Sequence, residues 1–452
     1  MSDKVSFRII NRLAIPSILA GIIEPIISIS DAAIIGHVHL NPTESLAAVG
    51  IVGSFISALF WILAQTKNAI SSIVSQKYGS KKLSEIKTLI SQVLLINVLL
   101  GIGIVFTTKA WANDIFQLYS AKNLILEYAV SYYDIRVFGL LFTLITFSLF
   151  GVFRGLQNTY WAMNISIIGG AINIILDFVL VYGVPNYIPA MHIAGAAWAS
   201  VFAQFVMMLL SIYVFLRKTP FKWHFTWSTH PEIPYFLSLT GNLIIRTIAL
   251  NVAIFLSNRY ATSYGKNYIA AHVILTNIWL FTAFFLDGYA DAGNSLSGRF
   301  IGEKDYSSLK QVAKKLLKYS LYVSVILSFS FIITYPLIGK IFTSEKEVLQ
   351  IFKHTFWLVL LMQPIGAIAF IFDGIYKGLG WVKFLRNIQL IATFFIFIPS
   401  LLLLDNFNFK LIAVWISFTL WMTFRAVSLY IYFNKHLQQV QKSKKVKKTI
   451  AN

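Results

Sequence analysis

The run from Leu13 to Gly36, LAIPSILAGIIEPIISISDAAIIG, is apolar and long enough to cross a bilayer, yet it carries Glu24 and Asp31. A carboxylate near the centre of such a span costs on the order of 2.5 to 3.5 kcal/mol. A chain keeps one there when a cavity, a counter-charge, a proton or a bound cation offsets that cost, which marks an intramembrane ion or substrate pathway. A second acid of this kind, Asp177, closes the segment NIILD, and Asn173 precedes it by one turn on the same helical face. Asp31 lies five residues before Gly36 and Asp177 six before Gly183. At 1.5 Å per residue, both carboxylates sit about 8 to 9 Å below the outer ends of two outward-running helices. Ser200, about seven residues into a helix running back inward, reaches a similar level. Two acids, an amide and a hydroxyl at one depth in a low-dielectric lobe form a group that can take up a proton or hold a cation in its place.

The second half carries Asp287, Asp291 and Asp373, none mirrored by an acid in the first half. Asp373 has Lys377 one turn on, which reads as a structural pair. Six deep acids (Glu24, Asp31, Asp177, Asp287, Asp291, Asp373) against two deep bases (Lys67, Arg246) leave −4 formally, a bias toward cations and protons. The D-x-x-x-D of Asp287 and Asp291 is the one hint of an enzyme, since prenyltransferases hold Mg²⁺-diphosphate on acidic motifs. That chemistry needs two facing acid-rich motifs, and the first half offers none. The chain is therefore expected not to be an enzyme, and to need no cofactor or metal beyond a coupling ion, H⁺ or Na⁺.

The elements that must position these residues are membrane helices. Hydrophobic residues make up 57% of the 452, charged residues only 12%, and the mean hydropathy is +0.70, a composition that describes a polytopic all-α membrane protein. Hydropathy resolves twelve spans, at about 9–36, 46–74, 86–107, 124–153, 160–182, 193–216, 232–260, 268–296, 312–335, 349–378, 383–404 and 409–433, each near or above the ~20 residues a helix needs. The first span is too long and too acidic for a cleavable signal, so it is expected to remain as the first helix. The absence of cysteine removes disulfides and thiolate metal sites. The net charge of +20 does not point to nucleic acid, because the 38 Lys and Arg divide 26 to 8 between alternate sides, with Lys67, Arg136, Arg246 and Arg425 inside spans. That asymmetry puts both termini in the cytoplasm. The C-terminal KSKKVKK then reads as a topology determinant or an anionic-lipid contact.

Residues about 222–223 apart match across the halves. SQKYGSKKLSEIK at 75–87 mirrors SGRFIGEKDYSSLK at 297–310, and FRGLQ at 153–157 mirrors YKGLG at 376–380. Six spans per half is an even number, so the repeat is parallel, related by a pseudo-two-fold axis along the membrane normal. The expected architecture is an N-terminal lobe over 1–222 and a C-terminal lobe with a basic tail over 223–452, with a first helix broken at Pro16 and Pro25.

Several segments resemble the multidrug and toxic compound extrusion (MATE) family, in particular its DinF-like branch. They are EPIISISDAAIIGHVHLNPTESLAAVG at 24–50, RGLQNT at 154–159, NIILD at 173–177, GAAWAS at 195–200, FLDGYADAGNSLSG at 285–298 and FDGIYKGLG at 372–380. The resemblance implies a monomeric antiporter of the cell membrane, or of the inner membrane in a Gram-negative source. Such a protein exports organic cations or lipophilic compounds against inward H⁺ or Na⁺ and touches membrane lipids but no nucleic acid. It also implies that Asp31, Asp177 and Asn173 take part in cation coupling, with Ser200 standing where a Thr is frequent. Related two-lobe flippases for lipid-linked sugars are the alternative within transport, but they use a cationic cavity, whereas the deep charge counted here is acidic. Applying the repeat offset to the cleft charges the resemblance suggests gives two further expected pairs between lobes, Glu24 with Arg246 and Lys67 with Asp287.

Overall fold

In a computed structural model describing residues 4–37, 41–226 and 228–450, twelve helices are long and apolar enough to cross a membrane. Among the described residues there is no strand, only an isolated bridge between Val184 and Ile188. Helices prevail because a lipid-facing backbone must satisfy its own polar groups, and only the intra-segment hydrogen bonds of a helix do this one segment at a time. The first crossing is α1 (Phe7–Ile35), and α2 (Pro42–Leu63) and α3 (Gln65–Gly79) form the second, with a step at Ala64. The third is α4 (Lys87–Ala110), followed by the short α5 (Ala112–Leu118). In the fourth, α6 (Asn123–Arg136) meets α7 (Phe138–Gly155) at Val137. Single helices supply the next six: α8 (Tyr160–Tyr182), α9 (His192–Lys218), α10 (Ile233–Ser263), α11 (Lys266–Gly302), α12 (Tyr306–Phe342) and α13 (Lys346–Leu379). The eleventh joins α14 (Val382–Ile391) to α15 (Ile398–Asn406) through a π-helical turn, Ala392–Phe397, and α16 (Leu411–Ile450) is the last.

The expected break in the first helix is absent. Helix α1 runs unbroken through Pro16 and Pro25. Proline's φ suits a helix, and the carbonyl it leaves free can find partners on neighbouring helices, so two missing N–H groups need not end the segment.

The chain divides into two packed units. The first comprises Leu19–Lys77 and Lys81–Leu237, and the second comprises Ser238 onward with the chain as far as Ile18 and Tyr78–Ser80. The opening turns of α1 therefore pack with the second unit, where Tyr289 donates to Asn11 Oδ1 at 2.9 Å.

The sequence repeat is also a packing repeat, visible in each unit taken alone. In the first, Gly151 and Gly155 of α7 let α3 approach so closely that an added Cβ would stand 2.5 Å from Lys67 O and 3.1 Å from Ser71 O. In the second, Gly374 and Gly378 of α13 do the same against α11, with a Cβ 2.1 Å from Ala290 O and 2.2 Å from Asn294 O. The pairs 151 and 374, 155 and 378, 67 and 290, 71 and 294 share one offset of 223 residues. Small residues one turn apart bring two backbones together, which is how helices pack tightly where no hydrophobic effect drives them.

Candidate functional site

Three helices of the first unit bring together the four residues read from the sequence. Ser200 Oγ on α9 donates to Asp31 Oδ2 on α1 at 3.2 Å, and Asn173 Nδ2 on α8 donates to Ser200 Oγ at 3.2 Å. Asp177, one turn along α8 from Asn173, lies carboxyl to carboxyl against Asp31. Burial is nearly complete: Asp177 and Asn173 are 0% exposed, Ser200 2% and Asp31 4%. Asp31 Oδ1, Asn173 Oδ1 and both Asp177 oxygens receive no hydrogen bond. Two carboxyls in contact can form a hydrogen bond only when one of them carries a proton. Ionised together, they leave buried acceptors unpaired and like charges adjacent, the costliest arrangement such a group can adopt. One proton, or one small cation, shared between the two carboxyls relieves both costs. Among the described residues, this cluster included, no group of three or more His, Cys, Asp or Glu is placed to hold a metal ion.

Sequence reasoning left out the groups around this cluster. Arg136, the last residue of α6, is 8% exposed, and its Nη1 donates to Gln204 Oε1 on α9 at 3.0 Å. It is in hydrogen-bond contact with Tyr132 and in electrostatic contact with Asp31 and Asp177. Arg136, Gln204, Asn173 and Ser200 are among the polar residues that line a cavity of about 50 Å³ in this unit. The signal was present in the chain, since an arginine inside an apolar span is a functional candidate by its cost alone. Counting spans for charge also omitted Arg425. With both arginines included, six deep acids face four deep bases, and the formal bias falls from −4 to −2.

The second unit holds a different constellation. Asp373 on α13 receives Arg246 Nη2 of α10 at 2.5 Å, Lys377 Nζ at 2.6 Å and Arg425 Nη2 of α16 at 3.7 Å. The guanidinium of Arg425 also lies over the Trp421 ring, 4.6 Å from its centroid. The pair of Asp373 with Lys377 is the one the spacing implied; the two arginines are not, because they come from distant helices. Arg246 is thus paired inside its own unit, and the side chain of Glu24 lies outside the described residues. Asp287, solvent-accessible in the middle of α11, is in electrostatic contact with Lys377, Asp291, Asp373 and Arg246. Lys67 is half-buried with its ammonium 5.7 Å from the Phe147 ring centroid.

The comparisons with known proteins agree over nearly the whole chain. The MatE family model matches residues 16–179 and 243–403, segments that include Asp31 and Asp177 and, in the second half, Arg246, Asp373 and Lys377. DNA damage-inducible protein F of Escherichia coli (strain K12) is 24% identical over 94% of this chain and 91% of its own length. The probable multidrug resistance protein NorM of Thermotoga maritima is 22% identical over 93% of this chain and 91% of its own. A crystal structure of MATE in the bent conformation superposes with a TM-score of 0.88 at 18% identity, covering 96% of both chains. At that identity the superposition speaks for the fold, whereas the family model spans well over half of the sequence itself. Twelve crossings, a duplicated helix packing and a match through both halves converge on one assignment: the chain belongs to the MatE family of multidrug and toxic compound extrusion transporters.

Proposed function

We propose that the protein is a multi-pass membrane antiporter that exports organic cations or lipophilic compounds by alternating access, driven by inward movement of H⁺ or Na⁺ at the Asp31–Asp177 pair. The observation that carries this reading is the pair itself: two buried carboxyls in contact, with both Asp177 oxygens lacking a donor. A group so placed is neutralised by one cation and exposed by its loss, which is what coupling requires. Asn173 and Ser200 hold the pair in register through the chain of hydrogen bonds from α8 to α1. The names of relatives support the direction of transport, since one is a probable multidrug resistance protein. The 26-to-8 division of basic residues supports cytoplasmic termini.

The test uses purified protein in liposomes, with H⁺ and Na⁺ gradients imposed separately and a fluorescent lipophilic cation as the transported probe. Wild-type protein should move the probe against its gradient under one of the two. Asp31→Asn and Asp177→Asn should each abolish that movement while remaining folded. Normal gradient-driven transport by both single variants sinks the proposal.

A further inference from the structure

We propose that Arg136 is the fixed counter-charge that allows the buried carboxyl pair to give up its proton, a positioning role that rests on reading Asp31 and Asp177 as the coupling site. Without a cation, two ionised carboxylates in contact carry −2 in a region of low dielectric, and each opposes the ionisation of the other. A guanidinium in electrostatic contact with both reduces the empty site to −1 and makes the singly protonated site neutral. Its attraction is strongest when the proton has gone, and only an interaction that differs between two states can shift the balance between them. Arginine suits this task because it stays charged and does not take the proton itself.

The surroundings of Arg136 are built to hold it. Its Nη1 is tethered to Gln204 Oε1 at 3.0 Å, and Tyr132 contacts it from one turn earlier in α6. Gly139, on the first turn of α7, makes the space for this tether. A Cβ there would stand 1.8 Å from Gln204 Oε1 and 3.2 Å from Arg136 Nη1, so any side chain at this position has to push the Gln204 carboxamide aside. The ionisable groups in electrostatic contact with Arg136 are Asp31 of α1, Asp177 of α8 and Tyr132 of its own helix. The facing helix α9 contributes the neutral Ser200 and Gln204. A structural arginine would serve as well facing lipid headgroups; this one lines the cavity onto which Asn173 and Ser200 open.

The experiment is infrared difference spectroscopy on the purified full-length protein, following the C=O stretch of a protonated buried carboxyl as pH is raised from the acid into the alkaline range. The band belongs to the pair if Asp31→Asn and Asp177→Asn alter it. Wild-type protein should lose the band over this range, Arg136→Gln should retain it, and Arg136→Lys, which keeps the charge, should lose it again. If Arg136→Gln does not fold, Gln204→Ala, which frees the guanidinium from its tether, should delay the loss of the band in the same direction. A band that both aspartate variants alter but that neither Arg136→Gln nor Gln204→Ala changes overturns this inference alone. A band insensitive to Asp31→Asn and Asp177→Asn overturns the coupling-site reading and this inference with it.

Discussion

Replacing Asp373 with Asn keeps the size of the side chain and deletes the charge on which two buried arginines and a partly buried lysine converge. At an effective dielectric constant of about 20, a pair at 2.5 or 2.6 Å attracts by roughly 6 kcal/mol and one at 3.7 Å by roughly 4 kcal/mol. Desolvation and repulsion among the bases cancel most of that sum, so the net stability of the intact cluster is small. Breaking it is another matter, because removing one partner of a buried pair strands the other at about 3 to 5 kcal/mol. Here Arg246 and Arg425, 7% and 3% exposed, would be stranded together, which places Asp373→Asn at the upper end of that range. Lys377→Met leaves Asp373 with both arginines and should cost only about 1 to 3 kcal/mol, the scale of one charge-assisted hydrogen bond. Asp287 is the acid that limits the damage, since its charge acts electrostatically on Lys377 and Arg246. The double variant Asp287→Asn with Asp373→Asn should therefore lose more than the sum of the single losses. Denaturant unfolding in detergent, followed by tryptophan fluorescence and size-exclusion recovery, reads all four proteins. The reasoning fails if Asp373→Asn is as stable as wild type, or if Lys377→Met costs more than Asp373→Asn.

Gly374→Ala should destabilise by about 1 to 3 kcal/mol, because its Cβ would meet the Ala290 backbone oxygen at 2.1 Å, whereas Gly50→Ala, with nothing within 4 Å, should be neutral in the same unfolding assay. Asp305 caps α12, accepting from Ser308 N at 3.0 Å and Ser308 Oγ at 2.8 Å and pairing with Lys4 at 3.2 Å. Partial burial works to raise its pKa, but the Ser308 hydrogen bonds and Lys4 prevail and hold the carboxyl below its ordinary value. Its contribution is thus present above the ordinary carboxylate range and lost as pH falls through the depressed folded value. Asp305→Ala should cost about 1 kcal/mol at neutral pH and flatten that acid-side loss in a stability-versus-pH series. For orientation, single cysteines at Ser80 and Thr343 in this cysteine-free chain should be labelled by an impermeant thiol reagent in intact cells at Thr343 only, and labelling at Ser80 alone would invert the topology.

The number and approximate placement of the crossings and the duplication follow from the sequence alone. A membrane helix satisfies its own backbone, so its length and rise turn residue number directly into depth, and the matched levels of Asp31, Asp177 and Ser200 were available before any packing was known. Rotation about each helix axis was not available. Helices apolar on every side carry no stripe that says which face meets which neighbour, so only the packed units show that Ser200 turns toward Asp31 and that Asp177 lies against the same carboxyl. The same limit concealed Arg136 beside that pair and hid the convergence of Arg246 and Arg425 on Asp373, groups separated by 127 and 52 residues. The continuity of α1 through two prolines is likewise a tertiary result, since local chemistry argues for a break and only surrounding helices can make the freed carbonyls tolerable. Depth is a property of one helix, whereas a site is a property of the faces that several helices turn to one another, and that choice is made by close packing at positions such as Gly151 and Gly374.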